Sequence, residues 1–288
     1  MMSPTVVAVD LGGSRLRLAA TDVKGKCIEW EKKTVSPTDL PAVLKRTWKR
    51  GGWGEVERLI VGSKGVWTRP ERHAMKKALF GLAKTITVMS DIELALHGAF
   101  APYSPPIPKM MIVAGTGSMA LGITEKDRLF RAGGLGPANG DEGSGWWIGK
   151  QWMGKMGRGK KGRQTFPVRP SVRQIAGLAK RVIAHAATDP ACAKIVGEAR
   201  RHLARLGWEV AEKMNPRSPI LLSWGGSLLE NPAFRAGVMT ALRKQFPHRF
   251  RFFPPADSPA RTAALHPKLF PNNPPRHIPS RRSPGFPS

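Results

Sequence analysis

The sequence of 288 residues has only two cysteines, Cys27 and Cys192, and they lie far apart in the chain. Two distant thiols provide neither a disulfide framework nor the closely spaced ligands of a structural zinc site. No run of residues is apolar for long enough to span a bilayer. The N-terminus also lacks the basic and apolar regions of a signal peptide. We therefore expect a reduced, cytoplasmic protein without membrane contact.

Acidic residues are scarce as well, with 20 Asp and Glu against 47 Lys and Arg, which gives a formal net charge of +27. A balance this basic favours contact with polyanions or with phosphate ligands. The positive charge is nevertheless spread along the chain, and we find no zinc-finger spacing, basic zipper or aromatic RNA-binding signature. We interpret it as a solvated basic surface and do not expect nucleic acid as a partner.

Apolar patterning predicts strands and helices that alternate after an opening set of three strands. The order in the first hundred residues is β-β-β-α-β-α-β-α, including a helix over residues 69–84. A proline-rich joint follows at residues 101–109, and a second set of three strands comes after it. Further helices and strands then alternate, including a long helical stretch over residues 171–214 that we expect to split near Asp189 and Pro190.

Two halves of matching order predict an α/β fold built from two related lobes. We place the lobes at residues 1–108 and 109–265 and leave open whether the last helix returns to the first lobe. A ligand is expected in the cleft between such lobes. From residue 266 to 288, proline and arginine dominate without an apolar period, which predicts a disordered tail.

Each half has a glycine turn bearing hydroxyl groups between its first two strands. The first turn contains Gly12-Gly13-Ser14, and the second is Gly115-Thr116-Gly117-Ser118. Glycine amides can approach phosphate oxygens closely because no Cβ intervenes. Either turn alone could be an ordinary hairpin, but two copies in matching contexts favour phosphate binding. The second turn is followed by a strand rather than a helix, which argues against a dinucleotide fingerprint.

Asp10 ends the first strand, directly before the first turn. A carboxylate there would repel phosphate unless a divalent cation lies between the two groups. Mg²⁺ fits that position, because it is commonly held by one or two carboxylates together with waters and phosphates. The alternative interpretation is an aspartate that only caps the turn.

Several stretches resemble the motifs of known families. VAVDLGGSRLRLA and VAGTGSMALG resemble the two phosphate motifs of the actin/hexokinase/Hsp70 superfamily, and LLSWGGSLLENPAF resembles its adenosine motif. More narrowly, VMSDIELALHGAF, AGTGS, GGLGPANGDEGSGWWIGKQ and PADSPARTAAL together resemble the BadF/BadG/BcrA/BcrD-type ATPase family, whose members include N-acetylglucosamine and glucosamine kinases. The likeness covers roughly residues 5 to 265. It implies two ribonuclease H-like (actin-like ATPase) lobes with an interlobe cleft.

The resemblance also implies ATP bound in that cleft with Mg²⁺, and an amino sugar as the acceptor. In the sugar kinases, the aspartate of an Asn-Asp pair acts as the general base on the sugar hydroxyl, and Asp91 matches it. In phosphoryl transfer the protein mainly aligns the acceptor oxygen and neutralises the phosphate charge. The other residues carried over are the phosphate contacts Gly12, Gly13, Ser14, Thr116, Gly117 and Ser118, the adenosine contacts Gly225 and Gly226, the sugar contacts Asp91, Gly134 and Asp141, and the metal ligand Asp10.

Some of these residues have simpler interpretations. Ser90 and Glu93 form the S-x-x-E pattern of a helix capping box around Asp91, and Asp141 could merely start the helix near residue 145. The sequence also departs from the family pattern. Ser90 replaces the usual Asn, Leu135 an aromatic residue, Ser14 a Thr, and Thr262 a glycine of the closing motif. Ser90 and Leu135 bear on sugar specificity, and Thr262 on the packing of the last helix.

The leading hypothesis is therefore an ATP-dependent N-acetylglucosamine or glucosamine kinase, with a homodimer left open. A second hypothesis is an ATPase coupled to a partner reductase or dehydratase through a shared iron–sulfur cluster. That role needs cluster-binding cysteines, for which Cys27 and Cys192 are poorly placed. A third is a non-catalytic protein that senses a sugar or a nucleotide.

Overall fold

The computed structural model describes residues 3–101, 107–138, 140–156, 170–255 and 258–270. These residues form two compact units. The first comprises the described residues of Met1–Pro105 and Pro254–His277, and the second those of Pro106–Phe253. Residues 256–257 of the closing motif, Asn139 and the tail from residue 271 lie outside the described residues. No helix in the described ranges is long and apolar enough to cross a membrane.

The first unit is built around a five-stranded sheet with the strand order β3-β2-β1-β4-β5. The pairs β1–β2 and β2–β3 are antiparallel, whereas β1–β4 and β4–β5 are parallel. Its elements are β1 (Val6–Leu11), β2 (Arg15–Thr21), β3 (Cys27–Lys33), α1 (Leu40–Gly51), β4 (Val56–Ser63), α2 (Arg69–Ala78), β5 (Ala83–Met89) and α3 (Asp91–Ala99).

The second unit repeats this order, because its sheet reads β10-β9-β6-β7-β8. Numbered within each unit, both sheets have the order 3-2-1-4-5, with an antiparallel meander followed by parallel strands. The predicted pair of related α/β lobes is thus confirmed as a fold. The elements are β6 (Lys109–Ala114), β7 (Ser118–Ile123), β8 (Leu129–Gly133), α4 (Gly145–Met156), α5 (Val172–Ala184), α6 (Pro190–Met214), β9 (Ile220–Gly225), α7 (Pro232–Gln245) and β10 (Phe250–Phe252).

Alternation along β1 divides the core of the first unit into two layers. Val7 and Val9 pack in a cluster with residues of α1 and α2. Ala8 points to the other face, in a cluster with residues of α3 and of the last helix, α8 (Pro259–Leu265). Because side chains alternate across a strand, one six-residue strand can serve both layers.

The last helix belongs to the first unit, where it contacts β1, β2 and α3. Thr262, which replaces a family glycine, donates its hydroxyl to the Ser258 carbonyl at 3.0 Å. A Cβ at Gly98 of α3 would lie 3.4 Å from Pro259 Cα and 3.8 Å from Thr262 Cβ. Thr262 is therefore accommodated where α8 packs on α3.

Two predicted boundaries differ in the structure. The helix predicted over residues 69–84 ends at Ala78, because Ala83 opens β5 and pairs with Val56 of β4. Residues 266–270, assigned to the tail, lie within the fold: Pro267–Leu269 form a 3₁₀ turn and Phe270 is buried among residues of β1, β4 and α8. By contrast, the break at Asp189 is confirmed, where the carboxylate caps α6 by accepting from Ala191 and Cys192.

Candidate functional site

The first unit brings its predicted residues together at the carboxyl ends of three parallel strands. In the register of the sheet, Asp10 of β1 lies opposite Gly62 of β4, which lies opposite Met89 of β5. The chain continues from these strands into the first glycine turn, into Lys64 and into the N-terminus of α3. The carboxyl edge of a parallel sheet is the common position for ligand sites in α/β proteins.

The first glycine turn is closed by a hydrogen bond from the Gly12 amide to the Arg15 carbonyl at 3.0 Å. A Cβ added at Gly13 would meet no atom within 4 Å, and one at Gly12 would meet only the Arg15 carbonyl, at 3.7 Å. Packing within the unit therefore does not require glycine at Gly13. A glycine that packing does not require leaves the backbone bare, which suits close approach by a ligand.

Asp10 is largely buried, with its side chain 14% exposed. Burial, followed by the negative charge of Asp91, raises the pKa of Asp10 to about 7, while Arg17 opposes both effects. The Arg17 guanidinium approaches the Asp10 carboxylate only to 3.9 Å and forms a closer pair, at 2.8 Å, with Glu31. Asp10 is therefore a carboxylate whose charge is poorly compensated by the protein.

Asp91 is the first residue of α3, but other residues cap the helix. The Ser90 hydroxyl accepts from the Glu93 amide, and the Glu93 carboxylate accepts from the Ser90 amide at 2.7 Å, so the predicted capping box is confirmed. Glu93 is completely buried and also accepts from Arg72 of α2, at 2.8 Å and 3.0 Å. This network holds the N-terminus of α3 in place without using the Asp91 carboxylate, which accepts from the Ile92 amide at 3.0 Å.

The pKa of Asp91 is raised to about 6, and burial is the main cause. Backbone amides at the start of the helix and the nearby Lys64 ammonium act in the opposite direction. A carboxyl group with a pKa close to neutral is ionised at pH 7 yet basic enough to accept a proton from an alcohol as it reacts.

Lys64 is a component of the site that sequence reasoning missed. Its amide donates to the Leu11 carbonyl at 2.8 Å, and its ammonium group donates to the Thr34 hydroxyl at 2.8 Å. Thr34 in turn donates to the Gly12 carbonyl at 2.7 Å. Burial lowers the pKa of Lys64 and the charge of Asp91 raises it. A cation thus lies beside both the first glycine turn and Asp91, directly after the end of β4 at Ser63.

The carboxylates of this unit fit a divalent cation. Asp10 and Asp91 are near enough for the charge of one to raise the pKa of the other. A bound cation would relieve that repulsion, and Mg²⁺ needs only one or two carboxylates when waters and phosphates complete its shell. No group of three or more His, Cys, Asp or Glu side chains suited to a metal occurs among the described residues.

The second glycine turn lies in the other unit, between β6 and β7. The start of α4 braces it, because the amides of Gly145 and Trp146 donate to the carbonyls of Gly115 and Thr116 at 2.7 Å and 3.2 Å. Thr116 is exposed at the tip. Neither its hydroxyl nor its amide bonds to another residue in the described part of the chain. Donors held in a braced turn match the predicted phosphate contact.

Ser118 and two predicted sugar contacts stabilise this turn from within. The Ser118 amide donates to Asp141 at 3.2 Å and its hydroxyl to the Glu142 carbonyl at 2.8 Å. The Gly134 amide donates to the Ser118 carbonyl at 2.8 Å. Both Ser118 donors are therefore occupied, which leaves Thr116 and Gly117 to meet a phosphate. Asp141 is 6% exposed, and burial raises its pKa.

The predicted adenosine contacts lie beside the second turn. β9 is parallel to β6, and Gly225 pairs with Val113, so the turns that follow both strands are neighbours. Gly226 has φ of +85°, and a Cβ there would lie 2.4 Å from the Ala114 carbonyl oxygen, so only glycine fits. Arg235 places its guanidinium 4.7 Å from the ring centroid of Trp224, directly before this turn.

The chain is similar to a known protein family and to a sugar kinase. A model of the BadF/BadG/BcrA/BcrD ATPase family matches residues 7–250. An N-acetylmuramic acid/N-acetylglucosamine kinase from Clostridium acetobutylicum is 26% identical over 160 residues, and the match spans about half of each protein, 50% of this chain and 50% of the relative.

Solved structures show the same fold. A proposed N-acetylglucosamine kinase from Chromobacterium violaceum has a TM-score of 0.65 at 20% identity, covering 91% of this chain and 98% of that one. A proposed N-acetylmannosamine kinase from Listeria monocytogenes has a TM-score of 0.63 at 14% identity, covering 90% and 97%. Both units of the chain thus have counterparts in these structures.

Proposed function

This chain belongs to the BadF/BadG/BcrA/BcrD ATPase family, and from that premise we propose that it transfers a phosphoryl group from ATP to a hydroxyl of an amino sugar, N-acetylglucosamine or glucosamine. The observation that carries the proposal is Asp91. Its helix is capped by other residues, its pKa is about 6, and it lies beside a cation and a bare glycine turn. The similarity to an N-acetylmuramic acid/N-acetylglucosamine kinase supports an acceptor of this class.

We assign the general-base role to Asp91. Its carboxylate accepts the proton of the sugar hydroxyl as the oxygen attacks phosphorus, and the Ile92 amide keeps it oriented. A base of this pKa is ionised in most molecules at pH 7. The Lys64 ammonium is placed to compensate negative charge beside the Gly12 turn. Arg72 positions Asp91 indirectly, by holding Glu93 and so the N-terminus of α3.

The remaining residues bind ATP. The amides of Gly13, Thr116 and Gly117 contact phosphate oxygens, and Ser14 adds a hydroxyl. Gly12, whose amide closes the turn on the Arg15 carbonyl, keeps the backbone bare beside the phosphates, and Gly225 with Gly226 contacts adenosine. Asp10 is placed to hold Mg²⁺, which when bound neutralises phosphate charge. The sugar contacts of Gly134 and Asp141 stay predictions, since both residues already have structural roles around Ser118.

The alternative of an ATPase that shares an iron–sulfur cluster with a partner is disfavoured by the thiols. Both cysteines are described and free, but Cys192 is 1% exposed inside the core of the second unit. A cluster ligand at a subunit interface needs an accessible thiolate. Only Cys27, which is partly buried, could reach such an interface.

The test is a coupled ADP-release assay over hexoses, hexosamines and their N-acetyl forms, with Asp91→Asn beside the wild type. We expect N-acetylglucosamine or glucosamine to raise turnover above the basal rate, and Asp91→Asn to lower it by ~10²–10⁴-fold. Wild-type kcat/KM should fall below about pH 6 as Asp91 is protonated. The kinase assignment fails if no sugar stimulates ADP release. Full sugar-dependent activity of Asp91→Asn would instead show that the base is another residue.

A further inference from the structure

A pocket that shares no lining residue with the proposed kinase site lies in the first unit between β3 and the end of α1. It has a volume of about 430 Å³, which is in the range of ligand sites. Its lining includes four cationic residues and no acidic residue. Two tryptophans and three aliphatic side chains form its apolar part. The charged and aromatic residues of the lining are Lys32, Lys33, Arg46, Arg50, Trp30 and Trp53.

The cations are arranged on two sides of the pocket. Lys32 and Lys33 end β3, an edge strand of the sheet, while Arg46 and Arg50 lie one helical turn apart on α1. Because side chains alternate across a strand, Lys32 shares the α1 face of the sheet with Trp30, whereas Lys33 lies on the opposite face. All four side chains are exposed, and none forms an ion pair with another residue in the described ranges. The acidic neighbour on β3, Glu31, is instead bound to Arg17 at 2.8 Å. The pocket therefore offers uncompensated positive charge along two walls.

The two tryptophans of the pocket, Trp30 and Trp53, pack together with a third, Trp48. Trp48, buried at 4% exposure, is anchored by its indole N–H to the Leu82 carbonyl at 3.1 Å. Trp53 packs edge to face on Trp48, with ring centroids 5.2 Å apart, and Trp30 packs on Trp53 at 5.9 Å. A Cβ at Gly51 would lie 2.7 Å from Trp53 Nε1, so glycine there lets the ring fold back over the end of α1. Trp30 and Trp53 remain half-buried.

Contrary to the expectation from composition, we propose that this pocket binds single-stranded nucleic acid, with Trp30 and Trp53 stacking on bases and the cations Lys32, Arg46 and Arg50 contacting successive phosphates. Proteins that bind single strands without sequence preference combine a cationic groove with aromatic side chains in this way. Charge on both walls suits a strand that passes through, because its phosphates recur on either side of a stacked base. An acidic peptide would use the cations but would leave the indole rings without a matching π-surface. The net charge of +27 favours the encounter with any polyanion.

The experiment is fluorescence anisotropy of the full chain with a fluorescein-labelled ten-nucleotide single strand, at several salt concentrations. The variant Arg46→Glu/Arg50→Glu reverses two charges in the pocket. Its matched control is Lys45→Glu/Lys49→Glu, which makes the same change in charge, at the same spacing on the same helix, at exposed residues outside the pocket. A third variant, Trp30→Thr, removes one ring and keeps a residue suited to a strand. Thermal unfolding checks that every variant is folded.

We expect the wild type to bind with a Kd on the order of micromolar, and Arg46→Glu/Arg50→Glu to weaken binding at least about tenfold and reduce the salt slope by about one to two. The control should change affinity by no more than about threefold, and Trp30→Thr should weaken it by about five- to tenfold or more. ADP release by the variants should equal that of the wild type, so this proposal and the kinase proposal can fail separately.

Several outcomes would overturn the proposal. Equal loss in the pocket variant and its control would show that binding depends on general surface charge. Unchanged affinity in folded Trp30→Thr would rule out stacking. A duplex of the same length bound as tightly would exclude a single-strand site, and tighter binding of a labelled poly-glutamate peptide would identify an acidic protein partner instead.

Discussion

Replacing Asp10 by asparagine should stabilise the fold at alkaline pH. The pKa of Asp10 is raised from 3.8 to about 7 in the folded chain, chiefly by burial. Folding therefore disfavours the charged form, and the free-energy cost is present above the folded pKa and absent below the unfolded one. Wild-type stability should accordingly decline as the pH rises from about 4 to 7, and Asp10→Asn should lack this part of the decline.

The size of the effect follows from the shift. A change of about three pKa units at ~1.36 kcal/mol each sets an upper limit of about 4 kcal/mol. The gain should be smaller, about 2 kcal/mol at pH 8, because Arg17 loses its anionic neighbour and the asparagine amide must be hydrogen-bonded in a largely buried place. At pH 4.5 the two proteins should differ by less than about 1 kcal/mol.

The assay is urea unfolding at pH 4.5, 6 and 8 in the presence of a chelator, followed by addition of Mg²⁺ at pH 8. Glu55→Gln, an exposed residue with the same change in charge, is the control and should be neutral at each pH. Mg²⁺ should stabilise the wild type and not Asp10→Asn. The reasoning would be refuted if Asp10→Asn were less stable than the wild type at pH 8, or if the difference between them did not depend on pH.

Two further predictions concern the cation and the glycine turns. Lys64→Met should lower kcat by about 10²-fold with little change in thermal stability, while Lys64→Arg restores part of the rate; an unchanged kcat would exclude Lys64 from the reaction. Gly13→Ala should leave the free energy of unfolding within about 0.5 kcal/mol of the wild type, because its Cβ meets no protein atom within 4 Å. The same variant should weaken ATP binding measured by calorimetry, because the Cβ hinders close approach of phosphate to the backbone. Gly226→Ala should instead cost at least about 1–3 kcal/mol in urea unfolding, since φ is +85° and the Cβ would lie 2.4 Å from a carbonyl oxygen. Equal behaviour of the two alanine variants would contradict the distinction between an open and a packed turn.

The local sequence was enough to predict the elements and the glycine turns. Apolar patterning predicted the opening strands, and the split of the long helical stretch was predicted near Asp189 and Pro190. These features depend on neighbours within a few residues, where backbone preference and side-chain period decide the structure. The capping box around Asp91 is of the same kind, since all its hydrogen bonds join residues three apart.

What the sequence alone determined is therefore the order of the elements, the repeat of two lobes and the residues exposed at their turns. Only the tertiary structure decided which side chains meet. Lys64 donates to the hydroxyl of Thr34, 30 residues away. Arg58 donates to the carbonyl of Phe270, 212 residues away, so part of the predicted tail packs on the core. The same applies to Ser118, whose donors are taken by residues 23 and 24 positions later. Such contacts depend on strand pairing and helix packing over long separations, and no local pattern encodes them.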